Sequence, residues 1–241
     1  MSEPEIVEVD RLDASVEPYD WPFARAEARA IDAHWERESA KRGGLWNGRV
    51  LLCRGPRVEE RRGERVFAAR FFQTDFKCFL AFRDWGFPDA AIRNCFAMAA
   101  LRAADGPFLL ARMGQHTANP GRVYFAAGTP DPNDVAGDRL DLEGSVIREL
   151  AEETGLTRAD VVETPGFTLV FSGGRIACLK EMRARMDADG AVARVRDFLT
   201  REAEPEIDGL VPVASLGDIE PDRMPDFIVA YLRARLAVQP G

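Results

Sequence analysis

The sequence predicts an α/β/α sandwich with a mixed sheet, and three observations indicate this fold class. Strand-like and helix-like segments alternate along the chain, which is typical of helices packed on both sides of a sheet. The chain has 241 residues, 46% of them hydrophobic, so it can bury a large core. An amphipathic helix ending before Gly155 offers an apolar stripe to that core. We therefore expect one main domain of this class with an N-terminal extension.

Residues 1–90 are predicted to form an N-terminal extension or lobe packed on the core. The expected elements are a helix over 22–42, a strand over 49–54, a hairpin turn over 57–65, a strand over 66–72 and a helix over 75–85. Pro22 suits the first turn of the first helix, and Gly43 and Gly44 are expected to end it. The aromatic residues of the last helix, including Phe76 and Phe79, are expected to form core or a homodimer interface.

Residues 91–241 are predicted to form the main domain. The expected elements are strands over 95–101, 107–112, 122–126, 167–171, 176–186 and 210–213, and helices over 191–200 and 222–237. A hairpin is expected at Ala104–Gly106, between the first two of these strands. An acidic loop over 202–209 precedes the last strand. The motif with the clearest chemistry lies between the third and fourth strands.

That motif is a helix whose one face displays three carboxylates. Glu149, Glu152 and Glu153 are spaced i, i+3 and i+4, so their side chains lie within reach of each other. Like charges at this spacing cost roughly 0.2–0.5 kcal/mol per pair on an exposed helix, and a divalent cation would turn the repulsion into attraction. An ordinary solvated acidic surface is the alternative interpretation. The opposite face is apolar and would dock on the core through Leu142, Val146, Ile147 and Leu150.

The stretch Arg148–Leu156 resembles the second half of the Nudix box, which reads Arg-Glu, an aliphatic residue, any residue, Glu-Glu, any residue, Gly and an aliphatic residue. The first half of the box is not matched in the same way. A strict count back from the helix places Asp134 where the box has Gly, and Leu140 where it has Glu. Gly128 is the natural partner for the box glycine, which implies six additional residues in a turn-rich loop before the helix.

The resemblance implies a Nudix hydrolase, which cleaves diphosphate bonds with Mg²⁺ or Mn²⁺ as cofactor. Carboxylates suit Mg²⁺ because it is a hard cation that takes oxygen ligands. Arg148 would orient the acids through a bidentate hydrogen bond. Asp141 or Glu143 would stand in for the early Glu of the box. The implied metal ligands, which would also be catalytic, are Glu149, Glu152 and Glu153.

The general base and the substrate contacts are less closely specified by the motif. The base would be a glutamate of the helix or an acid of a distant loop, for which the candidates are Glu204, Glu206 and Asp208. An ordinary acidic surface loop is the alternative for these three residues. His116 lies in a loop bounded by Gly114 and Gly121 and could reach a ligand. The residues expected to contact substrate are Arg112, His116 and Gly128.

The resemblance implies a substrate in which a nucleoside diphosphate is linked to another group. The long N-terminal region faintly resembles Nudix proteins that act on UDP-sugars, and Leu109–Arg112 loosely resembles an upstream motif of coenzyme A diphosphatases. Two other classes stay open. One is a noncatalytic Nudix domain that binds a nucleotide, and the other is an acidic structural helix on an unrelated α/β protein without a metal site.

Composition argues against several other partners. The net charge of -8 disfavours nonspecific binding of nucleic acid, which depends on a basic surface. No segment reaches the roughly 18 consecutive apolar residues of a membrane helix. The acidic start, Met1–Glu5, differs from the basic start of a signal peptide. We therefore expect a cytoplasmic protein with a small nucleotide-type substrate, no membrane partner and a possible homodimer.

The four cysteines and two histidines limit other chemistries. The cysteines are far apart without CxxC spacing, so reduced core thiols are expected in preference to disulfides or a zinc site. Because the chain has only two histidines, a His-based metal site or a Ser-His-Asp triad is not expected. His34 is expected in a packing or surface role. The four cysteines are Cys53, Cys78, Cys95 and Cys178.

Overall fold

A computed structural model describes residues 3–41, 45–117 and 119–237. The strands are β1 (Glu5–Val9), β2 (Arg11–Val16), β3 (Arg49–Arg61), β4 (Glu64–Asp75), β5 (Ile92–Arg102), β6 (Phe108–Met113), β7 (Val123–Tyr124), β8 (Ala127–Gly128), β9 (Val135–Ala136), β10 (Arg139–Leu140), β11 (Val161–Glu163), β12 (Phe167–Ser172), β13 (Arg175–Ala184) and β14 (Ile207–Val213). The helices are α1 (Pro22–Ala26), α2 (Ala28–Lys41), α3 (Phe76–Asp84), α4 (Leu142–Thr154), α5 (Ala188–Leu199) and α6 (Asp226–Ala237).

Within these ranges, the fourteen strands form one mixed sheet. Its main path runs β1-β12-β13-β5-β3-β4-β2-β10-β9. The long strand β5 pairs parallel with β13 and antiparallel with β3, so it joins the two halves of the sheet. Strand β6 pairs with β5, β7 and β14, and the short strand β8 pairs with β5. The predicted mixed sheet is therefore confirmed.

Helices cover both faces of the sheet, as the sequence predicts. On one face, α4 and α5 contribute Val146, Leu150 and Val195 to a buried cluster with the sheet. On the other face, α6 contributes Tyr231 and Leu232 to a second cluster. Each helix removes its apolar stripe from water by packing on the sheet. The predicted α/β/α sandwich is thereby confirmed.

The N-terminal region has an aromatic core of its own but shares the sheet. Trp21, Phe72, Phe79 and Phe82 are buried together, and the rings of Trp21 and Phe82 meet edge to face at a centroid distance of 5.1 Å. Strand pairing crosses residue 90, because β1 pairs with β12 and β3 pairs with β5. The division into residues 1–90 and 91–241 stays a prediction, as does the homodimer.

The helices agree with the sequence except at some ends. The expected helix over 22–42 consists of α1 and α2, because the backbone leaves helical geometry at Glu27. Gly43 and Gly44 lie outside the described residues. Helix α6 begins four residues later than expected, since Met224 precedes Pro225 and a residue before proline disfavours the helical conformation. The expected helix over 75–85 is confirmed as α3.

The charged run over 57–65 is not a long turn, contrary to prediction. Strand β3 continues to Arg61 and β4 resumes at Glu64, so the turn is only Arg62–Gly63, where both residues have positive φ, 55° and 83°. The charges are accommodated on the strands because they pair across them, as Arg61 does with Asp13 of β2. Strands β1 and β2 were not predicted.

Several strand ends in the main domain also differ. The expected strand over 122–126 is reduced to β7, and the expected strand over 176–186 ends at Ala184 as β13. Strand β14 begins inside the predicted acidic loop, because Ile207 pairs with Met113 at the end of β6. This extension shortens the loop, and the carbonyl of Glu206 accepts a hydrogen bond of 2.8 Å from the N–H of Gly114. The predicted hairpin at Ala104–Gly106 joins β5 and β6.

The cysteine prediction is confirmed, because all four side chains are free and buried. His34 is also buried, and its Nε2 lies 3.0 Å from a carboxylate oxygen of Asp84, which fits a packing role. Within the described ranges, no helix is both long enough and apolar enough to cross a membrane.

Candidate functional site

Helix α4 is defined at both ends by local interactions. At its start, the Asp141 carboxylate accepts a hydrogen bond of 2.8 Å from the N–H of Gly144. At its end, Gly155 adopts the left-handed conformation with φ of 70°, and its N–H donates to the carbonyl of Ala151. Leu150 is fully buried against the sheet. The glutamates on the other side of the helix are thereby held at a fixed position.

Arg148 connects three acids. Its Nη1 lies 3.0 Å from Glu149 and 3.1 Å from Glu152, and its Nη2 lies 2.6 Å from Asp134. The prediction that Arg148 orients the acids is supported, but the expected bidentate bond to a single carboxylate is replaced by a bridge. The reason is that Asp134 occupies one side of the guanidinium group and leaves the other for the helix glutamates.

Asp134 is a site residue that the sequence did not reveal. It ends the short 3-10 turn Pro132–Asp134 in the loop before α4, and its side chain is only 2% exposed. It also accepts a hydrogen bond of 3.0 Å from the N–H of Asp131. A buried carboxylate needs such partners, because an unpaired buried charge is costly. The inserted loop thus supplies the anchor that fixes Arg148.

Neither expected substitute for the early Glu of the box joins this cluster. Asp141 is used as the N-cap of α4. Glu143 lies 2.9 Å from the ammonium group of the buried Lys180. Because both residues lie at the start of the helix, Asp141 contacts the backbone there and Glu143 contacts Lys180 of β13. The expectation for Asp141 and Glu143 is therefore wrong.

The short strand β8 lies against the acidic face of the helix. The N–H of Ala127 donates a 3.1 Å hydrogen bond to Glu153 Oε1. A Cβ atom at Gly128 would lie 2.3 Å from Glu149 Oε1, so any other residue there would displace the Glu149 carboxylate from this position. Gly128 thus lies at the site and makes room for a carboxylate, while its contact with substrate stays a prediction.

Burial places two of the glutamates in an unusual electrostatic environment. Desolvation raises the pKa of Glu153 to about 8, and the charges of Glu206, Glu149 and Glu152 act in the same direction. Desolvation also raises the pKa of Glu149 to about 7, although the adjacent Arg148 opposes the shift. In addition, Glu153 Oε2 is buried and has no hydrogen-bond partner among the described residues. Without a cation, the cluster therefore resists full ionisation, because its own partners do not neutralise three carboxylates.

The helix glutamates face loop acids across a cleft of about 220 Å³, which we call the acidic cleft. Of the predicted loop candidates, Glu204 and Glu206 line this cleft. Only Glu206 is close enough for its charge to raise the pKa of both Glu149 and Glu153. Asp208 does not line the cleft, because its carboxylate lies 3.9 Å from Arg112. The structure therefore brings the helix and one end of the predicted loop together.

The donors of the acidic cleft fit a divalent cation. Glu153 offers an unpaired buried oxygen, and Glu149 and Glu152 add carboxylates that are shared with Arg148. Hard cations such as Mg²⁺ take oxygen ligands of this kind. In the part of the chain that the structure describes, no three His, Cys, Asp or Glu side chains already form a metal-binding group. Glu149 and Glu152 would therefore have to turn from Arg148 toward the cation.

A second, larger cavity of about 960 Å³ lies beside β8, and we call it the arginine pocket. Ala127 and Gly128 line it as well as contacting the helix acids, so the cavity and the acidic cleft meet at this strand. Sequence analysis missed it, because its wall combines residues from distant parts of the chain. Its polar wall residues include Arg83, Asn94, Arg122 and Arg175.

Two of the predicted substrate contacts lie elsewhere. Arg112 is half-buried near Asp208, and His116 is exposed and folds back over Gly114. Neither residue lines the acidic cleft or the arginine pocket. His116 is nevertheless in the loop whose Gly114 N–H donates to the carbonyl of Glu206. A role for Arg112 or His116 in substrate binding stays a prediction.

Comparison with solved structures found several distant similarities. The NUDIX domain of Shewanella oneidensis NrtR, complexed with ADP ribose, is 15% identical, with coverage of 61% of this chain and 89% of that chain at a TM-score of 0.38. A C. elegans Ap4A hydrolase is 15% identical, with coverage of 59% and 97% at a TM-score of 0.38. The MutT protein of Methanosarcina mazei is 20% identical, with coverage of 59% and 95% at a TM-score of 0.34.

These names agree with the resemblance of Arg148–Leu156 to the Nudix box. Because each TM-score lies below 0.5, the likeness by itself assigns neither a family nor an activity. No family model matches the chain, and no curated protein does. The functional assignment must therefore rest on the geometry of the site.

Proposed function

We propose that this protein is a metal-dependent pyrophosphohydrolase of the Nudix type, which cleaves the diphosphate bond of a nucleoside diphosphate linked to another group. The observation that carries the proposal is the acidic cleft itself. Its three helix glutamates are crowded and incompletely paired, and they lie opposite Glu206. A purely structural acidic helix would expose such groups to water, whereas here Glu153 is buried.

Glu149, Glu152 and Glu153 would hold Mg²⁺ or Mn²⁺. When bound, such a cation neutralises phosphate charge and lowers the pKa of a bound water. The chain contributes the position of these ligands through Arg148, which spans Glu149 and Glu152 and is itself fixed by Asp134. The N–H of Ala127 likewise fixes Glu153. Positioning of this kind stabilises the transition state without reorganisation during the reaction.

In the proposed hydrolysis, a water oxygen forms a bond to one phosphorus atom while the bond from that phosphorus to the bridging oxygen breaks. The water proton passes to a carboxylate, and the leaving phosphate departs with the bridging oxygen. Glu206 is the carboxylate that fits this role best, because it faces the helix acids and is not among the proposed metal ligands. Glu204 is the second candidate, since it lines the same cleft.

Among linked nucleotides we favour UDP-sugar substrates, with a coenzyme A diphosphatase as the alternative. The N-terminal region contributes Phe76 and Phe79 to the wall of the arginine pocket, so it would take part in binding a group that lies beside the diphosphate. The smaller acidic cleft could not contain both the diphosphate and the groups on either side of it.

The test is product release from a panel of nucleoside diphosphate sugars, dinucleoside polyphosphates, ADP-ribose, NADH and coenzyme A. Each is assayed with Mg²⁺, with Mn²⁺ and with a chelator. We expect turnover of one substrate class that is lost with the chelator. Glu152→Gln and Glu153→Gln should each lower kcat by about 100-fold or more, since a metal site contributes several kcal/mol to transition-state stabilisation.

Glu60→Gln is the matched control, because Glu60 is exposed on β3 and does not line the acidic cleft. It should leave kcat unchanged, and all three variants should keep the melting temperature of the parent protein within a few degrees. Full metal-dependent turnover by both Glu152→Gln and Glu153→Gln would refute the proposal. Nucleotide binding without any turnover across the panel would instead identify a noncatalytic binding domain.

A further inference from the structure

The arginine pocket is not needed for the chemistry of hydrolysis, and its wall is specific enough to indicate a ligand. We propose that it binds the base of the substrate nucleotide and selects bases with a carbonyl beside a ring N–H, such as uracil and guanine, through Asn94 and Arg175. This inference rests on the proposed function, because it assigns the base to one end of the substrate whose diphosphate lies at the acidic cleft.

The strand register places Asn94 and Arg175 side by side at one end of the pocket. Asn94 of β5 is the direct partner of Arg175 of β13 in the parallel pair. At the other end, Met98 of β5 pairs with Ala127 of β8. Four residues of strand separate these ends, which corresponds to roughly 13 Å. That distance leaves room for a nucleoside between the Asn94 end and the diphosphate at β8.

The side chain of Asn94 has a hydrogen-bond acceptor without a partner among the described residues. Its side chain is 7% exposed, and its Oδ1 is buried without a partner in the part of the chain that the structure describes. The residue lines the pocket, so a rotation of its side-chain amide would turn the unpaired acceptor toward a ligand there. Leaving such a group unpaired costs about 1–3 kcal/mol, so a ligand that donates a hydrogen bond to it would bind favourably. A ring N–H of a base supplies one.

Arg175 complements this acceptor because a guanidinium group can only donate hydrogen bonds. In the described residues its side chain forms no hydrogen bond or ion pair, although it lies over the ring of Phe87 at 5.0 Å. Burial lowers its pKa, the charge of Asp226 opposes this shift, and the nearby Arg83 and Arg122 act in the same direction as burial. A carbonyl oxygen would accept from this guanidinium while the neighbouring N–H donates to Asn94.

Uracil and guanine present that combination, whereas adenine has no carbonyl. Cytosine has a carbonyl but no N–H beside it on the pairing edge. The remaining wall suits a flat ring, because it includes the aromatic residues Phe96, Tyr124 and Phe227. Acids are also present, as Glu3 and Asp226 line the pocket, but Asp226 accepts a 2.7 Å hydrogen bond from Ser172.

The test is equilibrium binding of UDP, GDP, ADP, CDP and inorganic pyrophosphate, measured by titration calorimetry on the full chain. A chelator keeps divalent metal absent, so no hydrolysis occurs during the titration. We expect UDP or GDP to bind at least about tenfold more tightly than ADP and CDP, which corresponds to one well-placed hydrogen bond. Pyrophosphate should bind more weakly than the preferred nucleotide.

Asn94→Leu should remove most of this preference while the melting temperature stays the same or rises, because the buried amide has no partner to lose. Arg175→Met should lower the affinity for the preferred nucleotide by a similar factor. Arg29→Met is the matched control, since Arg29 is exposed on α2 and outside the pocket. It should change neither affinity nor preference.

Equal affinity for all four nucleotides, tighter binding of ADP, or a preference that survives Asn94→Leu would overturn the inference. These results are distinct from failure of the proposed function. Metal-dependent hydrolysis without base preference would keep the proposed function and reject the base pocket. A base preference that depends on Asn94, without hydrolysis of any substrate, would keep the pocket and reject the enzyme.

Discussion

The acidic cleft and the arginine pocket lie on either side of β8 and differ in charge and in origin. The cleft is formed by carboxylates, of which three come from consecutive turns of α4. The pocket is four times larger and carries Arg83, Arg122 and Arg175. The difference suggests a division of roles, in which one side performs the proposed chemistry and the other recognises the substrate.

The arginines of the acidic cleft and of the arginine pocket also differ in their partners. Arg148 contacts three carboxylates at distances of 2.6–3.1 Å, so its guanidinium group is used within the protein. Among the described residues, Arg175 forms no salt bridge, and the charge of Asp226 acts on it without a direct contact, so its guanidinium group remains available. An arginine with carboxylate partners positions the protein's own groups, whereas an arginine without them can pair with a ligand. This contrast makes the division of roles testable.

The largest effect is expected from Gly128→Ala, at the boundary of the two sites. A Cβ atom there would lie 2.3 Å from Glu149 Oε1, so the carboxylate would have to leave its position. We expect kcat to fall by roughly 100-fold, since a shift of this size misplaces a group that must be held accurately. Because the displaced atom ends a flexible side chain, the melting temperature should change little.

Gly217→Ala is the control for Gly128→Ala, since its added Cβ would meet only Ser215 Oγ at 3.5 Å. It should retain full turnover. The comparison between the two sites requires that Gly128→Ala keeps its affinity for the preferred nucleotide, measured with chelator, within a few-fold. An equal loss of affinity and kcat would show that the cleft and the pocket act as one site.

An intermediate effect is expected from replacing the two arginines by methionine. Arg148→Met should lower the free energy of unfolding by about 2 kcal/mol, because it leaves the buried carboxylate of Asp134 without its cation. Arg175→Met should cost less than about 1 kcal/mol, since the contact with Phe87 and a charge interaction with Asp226 that lacks a direct salt bridge are lost. Urea denaturation of both variants measures the two values.

A double variant sharpens this result. Asp134→Asn in the Arg148→Met protein should recover part of the lost stability, because the unpaired charge is then removed. If Arg175→Met proves as destabilising as Arg148→Met, the arginine of the pocket has a structural role. The proposed contrast between a positioning arginine and a ligand-binding arginine would then be wrong.

The smallest effect is expected from Asp160→Asn, which concerns how α5 is held against the end of α4. Hydrogen bonds from Thr157 lower the pKa of Asp160, and Arg194 of α5 acts in the same direction. A carboxyl group with a lowered folded-state pKa stabilises the fold above its unfolded value, here 3.8, and the stabilisation disappears as the pH falls through the folded value.

Asp160→Asn should therefore lower stability by about 0.5–1 kcal/mol at pH 7, and this difference should shrink as the pH falls below 3.8. Denaturant unfolding across this pH range measures the difference. Because α5 leads to the loop with Glu204 and Glu206, the same variant should alter kcat by no more than a few-fold. A difference in stability that does not shrink as the pH falls below 3.8 would show that the carboxylate charge is not its cause.

Much of the fold could be predicted because it depends on local patterns. The apolar period of α4 and the glycine at its end were both visible in the sequence, and the helix ends before Gly155 as expected. The extents of β3 and β4 were not visible in the sequence. Charged residues in these strands are stabilised by ion pairs such as that of Arg61 with Asp13 from another strand. Long-range partners of this kind leave no signal in the run of residues itself.

By itself, the sequence determined the α/β/α class and the cluster of Glu149, Glu152 and Glu153, because both follow from spacing along a helix or strand. Only the tertiary structure decided that Asp134 fixes Arg148, that Gly128 makes room for Glu149, and that an arginine pocket opens on the other side of β8. These features join residues that are distant in the chain, and their positions depend on sheet pairing and loop paths rather than on local periodicity.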